Sequence, residues 1–231
     1  MILWIILGAF ALFSYIVSST LKNKFKKYSQ IPLPISGAQV AERMLRQNGI
    51  TDVKILQTNG SLTDFYNPSN KTVNLSEDVY SQCTVAAAAV AAHETGHALQ
   101  HAQGYSALSL RTALVPLLNI SNTVLNVIFI ASFVLAFIAP TFLPWPVALR
   151  IIIGAYVVIT LFSFITLGVE INASKRAIDW LTNSGTITYG ETRDAAVDAL
   201  KWAAYTYLVA ALSSLVTLIY YVLQLMGRSD D

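Results

Sequence analysis

The chain has 231 residues, 55% of them hydrophobic and 12% charged, with a mean hydropathy of +0.54. That is about half the charge of an ordinary soluble domain, which excludes a disordered, collagen-like or typical cytosolic chain. A formal net charge of +2 argues against a nucleic-acid partner, and a single cysteine, Cys83, excludes an internal disulfide framework and a cysteine-based zinc site. The composition is that of a small, mainly α integral membrane protein with the lipid bilayer as a partner.

A bilayer core takes about 20 helical residues. Residues 1–21 hold the first such run, Ile2 to Leu21. It lacks a basic n-region and a small-x-small cleavage site, so it reads as an uncleaved anchor and not a signal peptide. Residues 22–111 are the first long polar segment. Its basic start, residues 22–34, ends in Ile31-Pro32-Leu33-Pro34, which stops a helix. Ser36 caps a short helix to Asn48, with Val40, Met44 and Leu45 at helical spacing and Gly49 ending it. Val53 to Leu56 and Leu62 to Tyr66 read as strands. Asn67-Pro68-Ser69-Asn70 is a turn, and Lys71 to Leu75 returns as the second arm of a hairpin. With Ser76 as cap and Glu77 and Asp78 in the first turn, the chain becomes helical through the alanine-rich residues 84–92.

Residues 112–139 form the second apolar run, carrying a polar stripe of Asn119, Asn122, Thr123 and Asn126. Interhelical hydrogen bonding is the plainer reading of that stripe, and a substrate cavity the alternative. Residues 147–169 and 203–226 are the third and fourth spans, separated by the polar segment 170–202. Trp4, Trp145, Trp202, Tyr220 and Tyr221 lie near span ends, where amphipathic rings favour the interface. Thirteen of the 15 cations fall in residues 22–111 and 170–202, leaving Arg150 and Arg228 opposite. The positive-inside rule places both polar segments in the cytoplasm and both termini outside.

The chemistry is concentrated in His93-Glu94-Thr95-Gly96-His97. On a helix, i and i+4 share a face, so both imidazoles reach one metal ion while Glu94 stands beside them to handle a proton. Two exposed histidines on an amphipathic helix are the alternative, disfavoured because the preceding helix is apolar. His101 lies about 12 Å along the helix from His93 and does not share an ion with it; a surface or outer-shell role fits it better. Among the carboxylates on the same side, Glu170 differs by following directly on an apolar run, where an acid is costly unless paired or functional. It reads as the third ligand, the alternative being an acid that snorkels or pairs with Lys175 or Arg176. Two histidines and a glutamate favour one Zn²⁺ per chain.

His93 to His101 with Gly104-Tyr105, Val169-Glu170-Ile171-Asn172-Ala173-Ser174, residues 64–79 and Ala203-Ala204-Tyr205-Thr206-Tyr207 resemble the YugP-like family of neutral zinc metallopeptidases of bacterial membranes. More distantly, the layout is similar to the membrane zincins of the HtpX and CAAX prenyl protease type, whose third ligand, a glutamate, maps onto Glu170. Those distant relatives often carry an aspartate four residues later; here that position is Ser174. The resemblance implies a small zincin-like α+β catalytic domain on the cytoplasmic face of a multi-pass cell membrane protein. It implies zinc held by His93, His97 and Glu170, a gluzincin-like set, and peptide-bond hydrolysis with Glu94 as the catalytic base.

His101, Tyr105, Tyr189, Arg176 and Arg193 are candidates for an oxyanion donor, and the hairpin is a candidate edge for an extended substrate. The expected substrates are membrane proteins or peptides cut near the bilayer. Two rival functions are weighed against this. An intramembrane protease of the site-2 type needs its zinc helix to span, and the apolar run before His93 is only about ten residues long. A catalytically silent scaffold would have lost Glu94 or a ligand, and a metal transporter would carry acids and histidines within its spans.

Overall fold

The computed structural model describes residues 2–138 and 144–227. Most of the expected loop from Pro140 to Pro146, the end of the second run at Ala139, and the tail with Arg228 lie outside the described residues. In chain order the elements are α1 (Ile2–Tyr28), α2 (Gly37–Gln47), β1 (Lys54–Thr58), β2 (Phe65–Asn67), β3 (Thr72–Ser76), α3 (Glu77–Tyr80), α4 (Val85–Ala102), α5 (Ser106–Ile138), α6 (Trp145–Asn183) and α7 (Glu191–Met226).

Among the described residues, α1, α5, α6 and α7 are the four helices long and apolar enough to cross a membrane. Each outruns its apolar stretch. Hydrogen bonding continues into polar sequence because nothing in Lys22–Tyr28, Glu170–Asn183 or Glu191–Trp202 breaks it: these stretches contain no proline or glycine. Glu170 therefore lies inside a 39-residue helix and does not begin a new one.

The chain divides into two compact units. One comprises Met1–Ser14, Leu110–Leu167 and Tyr207–Asp231. Its described core contains Leu125, Ile128, Ala148, Leu149, Ile152, Ala155 and Tyr221. The expected polar stripe is not turned into that core: Asn119, Asn122, Thr123 and Asn126 are all exposed on α5.

The second unit, Tyr15–Ser109 with Gly168–Thr206, holds the sheet and the short helices. The strand order is β1-β3-β2, with β3 parallel to β1 and antiparallel to β2. The expected hairpin is present, with Lys71 closing it in a left-handed conformation (φ 53°). Its first arm is shorter than expected because Leu62 also takes a positive φ of 57°, which removes it from any strand. Val73 and Leu75 of the central strand are fully buried against Val40, Met44, Val79 and the alanines of α4.

The expected cap at Ser36 is a complete capping box with Gln39. Ser76 departs from expectation: its side chain makes no cap bond, and its hydroxyl donates to Asp64 Oδ2 at 3.1 Å. The helix after Ser76 is consequently two helices. α3 stops at Tyr80, and Thr84, whose side chain accepts from the Ala87 N–H, caps α4 anew. Backbone bonds from Leu33 N–H to Cys83 O and from Val85 N–H to Ile31 O pin that start to the segment after α1.

Candidate metal centre

The metal-site geometry lies wholly within the second unit. α4 contributes His93 and His97 one turn apart, and α6 contributes Glu170 from the facing side. Close approach of the two helices is possible because the residue just before His97 is Gly96. A Cβ there would stand 2.9 Å from the Ala173 carbonyl oxygen. The three ligand atoms lie within 4.8 Å of one another. Glu170 Oε2 is 3.1 Å from His93 Nε2 and 3.3 Å from His97 Nε2. His97 and Glu170 are buried, and the His93 side chain is 12% exposed.

The opposite ring nitrogens decide which atoms are free to coordinate. Gln100 Nε2 donates to Val169 O and to Asn172 Oδ1, both at 2.9 Å, so its Oε1 must face His97 Nδ1 at 3.0 Å. An acceptor there places the His97 proton on Nδ1 and leaves Nε2 with its lone pair toward Glu170. Arg176 Nε donates to the same Asn172 oxygen at 2.7 Å, which fixes that amide too. His93 Nδ1 meets the Ser174 hydroxyl at 3.1 Å. The position where distant relatives carry an aspartate thus still holds the imidazole, through a neutral group. This donor set fits a divalent, nitrogen-and-oxygen-liganded ion: two oriented imidazole Nε2 atoms and one carboxylate converge without a bulky apolar side chain between them.

Without a metal the cluster shares protons. Burial alone would lower the His97 pKa, but hydrogen bonding to Glu170 and the charges of Glu94 and Glu170 outweigh it and raise it. A metal ion held there would compete with that proton.

Glu94, beside His93 on α4, reaches the sheet. Its Oε2 accepts the Tyr66 N–H of β2 at 3.1 Å. Tyr66 also reaches along α4, its hydroxyl 2.8 Å from His101 Nδ1. His101 is thus exposed and paired with Tyr66, outside the ligand set, beside a recess of about 290 Å³ that Asp52, Lys71 and Ala98 also line. Below Tyr66, Asp64 accepts the Ser76 N–H at 2.7 Å as well as its hydroxyl, tying the start of β2 to the end of β3. Burial pushes the Asp64 carboxyl up to about 6; the bonds from Ser76 act against that rise, and the charge of Glu94 adds to it.

The other oxyanion candidates are placed as follows. Arg176 lies over the Tyr105 ring and is held by Asn172 and Gln103; Arg193 lies over the exposed ring of Tyr189. Gln100, Asn172, Asp64 and Tyr66 were not legible as site residues. Only Gln100 had a local signal, standing one helical turn after His97 on the same face.

Residues 3–226 match the profile of a family described as "Putative neutral zinc metallopeptidase". The chain is 37% identical over 212 residues to the "Putative membrane protease YugP" of Bacillus subtilis strain 168, covering 91% of this chain and 90% of that protein. No solved structure matches. A profile match over nearly the whole length, with a relative 37% identical across nine-tenths of both chains, places the chain in this neutral zinc metallopeptidase family.

Proposed function

We propose that this protein is a zinc-dependent endopeptidase that cuts membrane proteins or peptides at the cytoplasmic surface of the bilayer, one zinc ion per chain. The observation that carries the reading is the convergence of His93, His97 and Glu170 within 4.8 Å, with Glu94 next to the first ligand on the same helix. When bound, zinc supplies Lewis-acid polarisation of the scissile carbonyl and lowers the pKa of water to about 7.

The protein's own groups do the rest. Glu94 has one oxygen committed to the Tyr66 N–H and the other available to take a proton from the attacking water and pass it to the leaving amine. β2 is an edge strand of the sheet, so an extended substrate docks along it by main-chain pairing, with its scissile bond delivered toward Glu94. Gln100 and Ser174 keep the two imidazoles in the coordinating tautomer and orientation.

The position of the site follows from α6. Its apolar part, residues 147–169, is about 34 Å long at 1.5 Å per residue, so Glu170 emerges at headgroup level. Substrate segments close to the bilayer are the ones such a site reaches. A cytoplasmic orientation is supported by the thirteen cations in the two polar segments.

The test is a pair of variants in the purified full chain. Glu94→Gln keeps stoichiometric zinc and loses hydrolysis of a peptide that the parent cleaves. His97→Ala loses both. Full zinc occupancy in His97→Ala removes the ligand assignment, and undiminished cleavage by Glu94→Gln removes the assigned base.

A further inference from the structure

The face of α5 that carries Val115, Asn119, Asn122, Asn126 and Phe129 has no partner among the described residues, although it lies in a helix apolar enough to cross a membrane. All five are exposed, whereas Ser121, Leu125 and Ile128 on the other side of the helix are buried. The spacing is 4, 3, 4, 3, the 3.5-residue average that keeps one seam of a helix against a second helix.

The three central residues are carboxamides. None makes a side-chain hydrogen bond among the described residues, while nearby Ser121 and Thr123 satisfy their hydroxyls on their own helix, at Leu117 O and Asn119 O. Asn119 to Asn126 fall between about 10 and 21 Å into the run that begins at Thr112, by the 1.5 Å rise. That is the depth where an unpaired polar group is most costly in lipid and where asparagine draws helices together.

The identity of the partner follows from the chemistry of the group. A carboxamide carries both a donor and an acceptor, so the complement of asparagine at a two-fold axis is the same asparagine from an identical helix. A hydrophobic segment of some other protein would have to bring matching polar groups at the same 4, 3 spacing. We propose that the Val115–Phe129 seam is a self-association surface, through which two copies of this chain pair within the membrane by interhelical Asn119, Asn122 and Asn126 hydrogen bonds. The pairing is independent of the metal centre, which belongs to the other unit.

The test uses the full chain in native membranes with Cys83→Ser, which removes the single cysteine. Single cysteines are introduced at Val115, Asn122 or Phe129 on the seam, and at Ile120 or Val127, which are exposed but turned about 120° from it. Oxidation is expected to trap a homodimer from the seam positions and not from the other two. In a second arm, Asn119, Asn122 and Asn126 are changed together to leucine in the otherwise native chain. Self-association of donor- and acceptor-labelled copies in lipid nanodiscs or vesicles is expected to weaken at least about tenfold.

Equal cross-linking at seam and control positions overturns the proposal. So do seam cysteines that trap only a different protein, and a leucine variant that associates as the parent does. Misfolding of the leucine variant leaves the single-cysteine arm to decide, because each change there is a single exposed side chain. Zinc content and peptide cleavage by the same samples report separately on the proposed function.

Discussion

Gly96 faces the Ala173 backbone so closely that a Cβ at position 96 would stand 2.9 Å from the Ala173 carbonyl oxygen, and any side chain there forces the two helices to shift. The pair sits between the two histidines on one helix and between Glu170 and Ser174 on the other. The distance between the two histidines and Glu170 is therefore set by a contact that involves none of the three. Gly96→Ala is expected to gain a little intrinsic helix propensity and to lose more through the clash, for a net cost of about 1–3 kcal/mol. It should also weaken zinc binding about tenfold or more, since Glu170 is moved from the imidazoles. Thermal unfolding with a chelator-competition titration checks both; an Ala variant that binds zinc as tightly as the parent disproves the coupling.

Gln100 is the second place where metal affinity should respond without loss of a ligand. Gln100→Leu removes the acceptor that holds the His97 proton on Nδ1, and leaves the Val169 carbonyl without its side-chain donor. Zinc affinity is expected to fall about 10–100-fold. Ser174→Ala should have a smaller effect, because it removes one hydroxyl–imidazole bond, whereas Gln100 is itself fixed by Val169 and Asn172 and its loss disturbs all three bonds. Competition with a chromophoric chelator at fixed pH measures both, and the reverse order of effects would contradict the assigned roles.

The pH dependence of stability in the metal-free protein should carry the mark of Asp64. Its folded carboxyl is raised to about 6 from the ordinary 3.8, so between these values the folded state holds a proton that the unfolded state has released. The stabilisation is fully present below about pH 4, is lost as pH rises through 6, and changes no further above. Its size is about 3 kcal/mol. Asp64→Asn keeps an acceptor for the Ser76 N–H and has no titrating group, so its unfolding midpoint should vary less with pH over that window. A parent and variant with parallel profiles between pH 4 and 7 would refute the assignment.

Orientation is open to direct labelling in a Cys83→Ser background. A cysteine at Ser61, on the exposed loop before β2, should resist an impermeant maleimide applied to intact cells and react after lysis. A cysteine at Gly227, near the end of α7, should label from outside. Labelling of Ser61 from outside would invert the proposed topology.

What could be read ahead of the structure was whatever is local. The cap at Ser36, the hairpin turn and the i, i+4 histidines are each defined within a few residues: Ser36 caps its helix, the two histidines stand together, and the turn falls one residue later than expected because Asn67 still pairs with Thr72. Glu170 was accessible for a different reason: an acid directly after an apolar run is conspicuous whatever it touches. The parallel pairing of β1 with β3 was not foreseen, since it joins strands that are not neighbours in sequence. The Tyr66 N–H on Glu94 is a backbone contact across 28 residues and leaves no trace in residue type. Asp64 was one carboxylate among several until Ser76 was seen to spend both its donors on it. The four long helices run past the expected spans because hydropathy reports where lipid would end, while hydrogen bonding reports where the helix does.

The run from Ala86 to Ala92 carries a final implication. Ala86, Ala87, Ala88, Ala89, Ala91 and Ala92 have no solvent exposure, so the first half of α4 is enclosed at all but Val90, with almost no side-chain volume of its own. Every replacement but glycine adds atoms where neighbouring groups already touch, and glycine loosens the helix that carries the motif. Those six positions are then as intolerant of change as the motif itself, though none of them handles an ion, a proton or a substrate. Saturation mutagenesis scored only by loss of activity would draw the active site nearly two turns too long, and only a parallel score for folded protein would return it to its true length.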